Sequence, residues 1–113
     1  MAIKVIYLDD EADLCEIFQE SFATPDIQIQ TFTDSKLAIE ASKLAKFDVA
    51  FIDYRLPGLK GDEVASQMPD STNKYLLTGE SDPKPNFKFK SILPKPFDYT
   101  AIEDILSSHL KGH

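Results

Sequence analysis

The stretch DVAFID at residues 48–53 decides the fold of this chain. Its four central residues carry no polar side chain, and Pro57-Gly58 marks a turn shortly afterwards. A short apolar run bounded by turn residues is typical of a strand that is buried on both faces. Asp53 ends this strand, and open α/β folds bind ligands outside the carboxyl ends of their strands. Asp53 is therefore the first candidate for a functional residue.

Four further segments have the composition of strands, and longer connections separate them. Residues 3–8 form an apolar run, and residues 27–32 alternate strictly between apolar and polar side chains, which is typical of a half-exposed strand at a sheet edge. Residues 74–78 and 91–93 are the other two. Because parallel strands need long crossover connections, we predict an α/β fold with a single doubly wound, five-stranded parallel sheet of order 2-1-3-4-5.

The first two predicted helices have recognisable starts and apolar faces. Helix one begins at Glu11, where Asp10 can act as the N-cap, and ends before Pro25-Asp26. Helix two follows the capping residues 33–35, and its predicted buried stripe consists of Leu37, Ala41, Leu44 and Ala45.

The later helices differ in length. The third is short, because it opens at Gly61 and Pro69 ends it. Residues 80–90 contain two prolines and no apolar stripe of helical period, so we predict that the fourth helix is shortened or absent. A last helix spans residues 97–110.

Length and charge limit the classes of function. With 113 residues and 42% hydrophobic residues, we expect a single domain at 1–113 and no output domain in this chain. The net charge of −7 argues against nucleic-acid binding, because it repels a phosphate backbone. The sequence shows neither a signal segment nor an apolar run long enough to span a membrane, so we expect a cytoplasmic protein without membrane association.

Polar side chains follow four of the predicted strands. They are Asp9 and Asp10, Asp53, Thr78, and Lys95. The carboxyl ends of parallel strands share one edge, and two carboxylates about 4 Å apart repel each other by roughly 4 kcal/mol. We expect a divalent cation to balance this charge, and oxygen ligands with open positions favour Mg²⁺. Such a site suits attack of the Asp53 carboxylate on a phosphoryl group whose oxygens contact Thr78 and Lys95.

These motifs, together with residues 53–58 (DYRLPG), 77–79 (LTG) and 95–97 (KPF), resemble the receiver domain of two-component response regulators, a flavodoxin-like fold. The resemblance covers the whole chain. It implies that Asp53 is phosphorylated by a sensor histidine kinase or phosphotransfer protein, and that a downstream protein partner reads the change. It also implies that Asp10, Asp53 and the backbone carbonyl of Arg55 bind Mg²⁺, that Asp9 acts through water, and that the Lys95-Pro96 peptide is cis.

Two features depart from the family pattern. Ile92 stands where the family usually carries Tyr or Phe, and the stretch between Thr78 and Lys95 is short for a helix. A pseudo-receiver that signals without phosphate is therefore one alternative. A phosphohydrolase with an aspartyl nucleophile is a second, but such families usually place another acid where this chain has Arg55.

We favour a phosphoacceptor switch that catalyses only its own phosphorylation and dephosphorylation, and that is a monomer or weak dimer. Arg55 and Glu80 carry opposite charges two residues after Asp53 and Thr78, so we predict that they pair across the opening of the site.

Overall fold

The computed structural model describes residues 2–111, in which five strands and four helices follow one another along the chain. The third helix is short, with seven residues, as Pro69 predicted, and residues 79–90 contain no helix. The elements are β1 Ile3–Leu8, α1 Ala12–Phe22, β2 Ile27–Phe32, α2 Ser35–Leu44, β3 Val49–Asp53, α3 Gly61–Gln67, β4 Asn73–Thr78, β5 Ser91–Pro94 and α4 Tyr99–Lys111.

All five strands are parallel, and their order in the sheet is β2-β1-β3-β4-β5. The predicted fold class and strand order are therefore confirmed. Every residue of β3 is buried, whereas β2 lies at the sheet edge with a mixed exposure pattern. This order places the carboxyl ends of β1 and β3 side by side, which is the point where doubly wound sheets bind ligands.

Helices cover both faces of the sheet, so the core has two halves. Successive side chains of a strand point to opposite faces, and β3 accordingly contributes Val49 and Phe51 to one half and Ala50 and Ile52 to the other. The first half includes Phe18 of α1 together with residues of α4, and the second includes residues of α2 and α3. No helix within residues 2–111 is long and apolar enough to cross a membrane.

The predicted N-cap of α1 is wrong, whereas that of α2 is present. The N-cap position of α1 is Glu11, which makes no side-chain capping bond, and Asp9 rather than Asp10 accepts the Glu11 N–H at 3.0 Å. The acid that bonds to the start of α1 is therefore Asp9, which directly follows β1. Asp34 caps α2 by accepting the N–H groups of Lys36 and Leu37.

The predicted buried stripe of α2 is also wrong. Leu37 and Leu44 are 55% and 87% exposed, and Ala45 lies beyond the helix with an extended backbone. The buried residues are instead Ala38, Ile39 and Ser42, with Ala41 packed against them. Apolar side chains occupy both faces of this helix, so the sequence period did not distinguish them, and packing against the sheet selected the face with the smaller side chains.

Residues 79–90 form an irregular segment across one face of the domain. Phe87 and Phe89 pack against the core half that contains α3, whereas the intervening Lys88 is exposed. The segment is held by hydrogen bonds at two points: Asn86 N–H donates to Asp62 Oδ2 at 2.6 Å, and Lys90 N–H donates to the Lys74 carbonyl at 2.8 Å. Aromatic packing thus covers a surface on which no helix lies, as predicted from the prolines of this segment.

Candidate functional site

The strand ends bring the predicted site residues to one edge of the sheet. Carboxylate oxygens of Asp9, Asp10 and Asp53 lie within 4.8 Å of one another. Asp9 and Asp53 are buried, whereas Asp10 is exposed. A cavity of about 510 Å³ opens at this edge, and its lining consists of Asp10, Glu11, Asp53, Arg55, Thr78, Gly79, Glu80 and Lys95.

The Lys95 ammonium lies between two of the acids. Its Nζ is 3.0 Å from Asp9 Oδ2, 3.3 Å from Asp53 Oδ2 and 3.7 Å from Glu11 Oε2. Burial lowers the pKa of Lys95, but the hydrogen bond to Asp9 and the charge of Asp53 outweigh it, so the pKa is raised overall. Lys95 therefore supplies part of the positive charge that balances these acids, in addition to the expected divalent cation.

Asp53 lies at the floor of the cavity with 4% of its surface exposed. Burial and the neighbouring Asp9 charge raise the pKa of Asp53 from 3.8 to about 6, although Lys95 acts in the opposite direction. The remaining repulsion means that further positive charge near Asp53 is favourable. At neutral pH the group is an anion, and it borders an open cavity.

Asp9 is fully buried and accepts three hydrogen bonds. Its Oδ1 accepts the Glu11 N–H at 3.0 Å, while its Oδ2 accepts from the Lys95 ammonium and from the Tyr7 hydroxyl, each at 3.0 Å. Tyr7 is not among the site residues predicted from the sequence. A signal was available: residues two apart on a strand share a face, and a buried phenol usually finds a polar partner.

The acidic cluster has the chemistry of a magnesium site. All its donors are carboxylate oxygens, the ligands that Mg²⁺ prefers, and the exposure of Asp10 leaves room for water and phosphate ligands. Asp9 is the least available ligand, because a carboxylate has about four lone-pair positions and three of its own are used. Arg55 lies on the wall of the same cavity.

Thr78 and the cavity rim are linked by hydrogen bonds. Thr78 is buried at the end of β4, and its Oγ1 accepts the N–H of Glu80 at 3.1 Å. The Glu80 carboxylate in turn pairs with Arg55, with Nε and Oε2 2.8 Å apart, so the predicted ion pair across the opening is confirmed. Ile92 is 43% exposed and lines a separate cavity of about 320 Å³ that also reaches Thr78. The Lys95-Pro96 peptide is cis.

Several solved structures share this fold. A CheY-like receiver domain from Methylobacillus flagellatus is 23% identical, with a TM-score of 0.83, covering 96% of this chain and 99% of that chain. One from Methanospirillum hungatei is 14% identical, with a TM-score of 0.87, covering 99% of this chain and 96% of that chain.

The receiver domain of Saccharomyces cerevisiae Ssk1, in complex with the histidine phosphotransfer signaling protein Ypd1, is 18% identical, with a TM-score of 0.80, covering 94% of this chain and 87% of that chain. Among curated proteins, none matches this chain significantly. The sequence matches the family model of the response regulator receiver domain over residues 5–107, most of its length. This chain therefore belongs to the response regulator receiver domain family.

Proposed function

We propose that this chain is a phosphoacceptor switch in which Asp53 receives a phosphoryl group from a phosphohistidine. The observation that supports this most is the position of Asp53: it is a buried carboxylate that borders an open cavity and has an ammonium group 3.3 Å away. Few other roles account for an acid that is held in a site that disfavours its charge, at the ligand-binding edge of the sheet.

Phosphoryl transfer to Asp53 exchanges one bond at phosphorus for another. An Asp53 carboxylate oxygen forms a bond to phosphorus while the P–N bond of the donor breaks, and the imidazole nitrogen keeps the bonding electrons and takes up a proton. The product is an acyl phosphate. Lys95 Nζ is already 3.3 Å from Asp53 Oδ2, and Thr78 borders the same cavity, so both can contact the phosphoryl oxygens.

A bound Mg²⁺ would neutralise charge on the phosphoryl oxygens during this step. We assign its ligands to Asp10, Asp53 and the backbone carbonyl of Arg55, with Asp9 acting through water. The three hydrogen bonds that already occupy Asp9 support this indirect role, and the exposure of Asp10 supports a direct one.

The donor that we propose is a sensor histidine kinase or a phosphotransfer protein. The Ssk1 receiver, which has the same fold, is found in complex with a histidine phosphotransfer protein, and this supports the assignment. We further propose a single receiver domain at 1–113 that works in the cytoplasm as a monomer or weak dimer. It would signal through a downstream protein partner and would turn over no separate substrate.

A pseudo-receiver is the second candidate, and two observations favour it. Residues 79–90 contain no helix, and the exposed Ile92 lacks the ring that family members usually carry at this position. Such a protein would keep the acidic pocket but would bind its partner without being phosphorylated.

Phosphorylation by a small donor separates the two candidates. Phosphoramidate is suitable because its P–N bond resembles that of phosphohistidine. With Mg²⁺, we expect the intact mass of the chain to increase by one phosphoryl group, and we expect no increase for Asp53→Asn or in chelator. Asp104→Asn, which changes an exposed acid on α4, is the matched control and should behave as wild type. A wild-type chain that gains no mass supports the pseudo-receiver, and an Asp53→Asn variant that gains it refutes the site assignment.

A further inference from the structure

A fully buried tyrosine contacts the acidic site from inside the core. Tyr7 lies on β1, and its hydroxyl donates to Asp9 Oδ2 at 3.0 Å; neither residue has any exposed surface. We propose that Tyr7 is a positioning residue for phosphoryl transfer: its phenol orients Asp9, and Asp9 in turn holds the Lys95 ammonium against Asp53. This inference rests on the function proposed above.

The hydrogen bonds to Asp9 leave its carboxylate one orientation. Glu11 N–H holds Oδ1, while Tyr7 and Lys95 share Oδ2, each at 3.0 Å. Among the described residues, loss of the Tyr7 donor would leave Oδ2 with the Lys95 ammonium as its only protein donor. Because Asp9 is fully buried, the carboxylate with one donor fewer would then draw the ammonium more strongly toward itself.

The phenol is well suited to hold another group in place, because its own ring is fixed. Tyr7 stacks on Phe18 with the ring centroids 4.2 Å apart, and it meets Phe97 edge to face at 6.3 Å. Phe97 follows Lys95 by two residues, so the same aromatic cluster contacts both the phenol and the segment that carries the lysine. A phenylalanine ring could make the same apolar contacts, so packing alone does not account for the hydroxyl.

The position of Lys95 depends on both acids. Its Nζ is 3.0 Å from Asp9 Oδ2 and 3.3 Å from Asp53 Oδ2, so a small shift toward Asp9 would move it away from the carboxylate that attacks phosphorus. Loss of a residue that orients the ligands of a metal site typically lowers metal affinity or activity by about 10- to 100-fold. The Tyr7 hydroxyl donates to Asp9 and not to Asp10 or Asp53, the carboxylates that we propose as direct ligands of Mg²⁺.

The test compares Tyr7→Phe with Tyr75→Phe in the full chain. Tyr75 is also a buried phenol on a central strand, but its hydroxyl is bonded to His109, away from the acidic site. With saturating Mg²⁺ and phosphoramidate, we expect Tyr7→Phe to be phosphorylated at least about 10-fold more slowly than wild type. Tyr75→Phe should react at the wild-type rate, and the Kd for Mg²⁺ should change less than the rate in both variants. A Tyr7→Phe rate within twofold of wild type refutes the inference.

A spectroscopic measurement tests Tyr7 without relying on phosphorylation or on the folding of Tyr7→Phe. The chain has four tyrosines, so replacing Tyr54, Tyr75 and Tyr99 by phenylalanine leaves Tyr7 as the only phenol. We expect this variant to show a near-ultraviolet tyrosine difference band when Mg²⁺ is added, because the phenol is bonded to an acid of the site. Absence of the band refutes the inference. If wild type takes up no phosphoryl group, the proposed function fails, and this band still decides whether Tyr7 is coupled to the site.

Discussion

Replacing Asp53 by asparagine should stabilise the protein in the absence of metal. The amide keeps the shape of the side chain but removes a charge that the site disfavours. The pKa of Asp53 reflects how strongly the site disfavours this charge. Burial and the Asp9 charge raise the pKa from 3.8 to about 6 despite the opposing effect of Lys95. Because the shift already includes Lys95, it gives the net free energy by which the folded protein disfavours ionisation of Asp53 relative to the unfolded chain.

The size of the effect follows from that shift. Each pKa unit corresponds to about 1.4 kcal/mol, so ionisation of Asp53 costs the folded state up to about 3 kcal/mol. Between about pH 4 and pH 6 the folded protein holds this proton while the unfolded chain has released it, so the free energy of unfolding falls as pH rises through this window. The free energy of unfolding of Asp53→Asn does not fall in this way, because the amide does not titrate. We expect Asp53→Asn to be more stable than wild type by about 1 to 3 kcal/mol at pH 7.

Thermal unfolding followed by circular dichroism measures this difference. For a domain of this size, about 1 kcal/mol corresponds to roughly 4 °C, so in chelator at pH 7 we expect the Tm to rise by about 4 to 12 °C. Millimolar Mg²⁺ should raise the Tm of wild type more than that of the variant, because binding stabilises the state that holds the ion. The control Asp104→Asn changes an exposed acid and should shift the Tm very little.

Two outcomes would contradict this reasoning. Equal Tm values for wild type and Asp53→Asn in chelator at pH 7 would mean that the acids do not destabilise one another. A difference that is as large at pH 4 as at pH 7 would mean that it arises from packing and not from charge, because Asp53 is protonated in the folded wild type at pH 4.

Two further predictions concern the rim of the site and the first residue of α3. Arg55→Ala and Glu80→Ala should each speed hydrolysis of the acyl phosphate by about fivefold at most, because exposed ion pairs are weak. Their effects on measured dephosphorylation rates should be coupled, and strictly additive effects would rule out a shared latch. Gly61→Ala should cost about 1 to 3 kcal/mol in urea unfolding, because its Cβ would lie 2.8 Å from the Asp53 carbonyl oxygen. Gly79→Ala, with 3.9 Å to its nearest neighbour, is the control, and equal midpoints would contradict this.

The sequence by itself determined the fold. The apolar run that ends at Asp53 and the strict alternation of residues 27–32 distinguish a central strand from an edge strand, because burial on two faces and on one face require different side chains. The prolines of residues 79–90 likewise excluded a regular helix. Convergence of the polar strand ends followed from the topology, since parallel strands share one carboxyl edge.

Only the tertiary structure decided which groups pair at that edge. The Asp9 carboxylate rather than that of Asp10 receives the first N–H of the helical segment, and Lys95 bridges Asp9 and Asp53. Tyr7, which lies in the apolar run of residues 3–8, donates to Asp9 from within the core. Periodicity assigns a residue to a face, but a hydrogen bond depends on distances of about 3 Å between side chains far apart in the chain. Those distances are set by how α1, β1 and the Lys95 segment pack together.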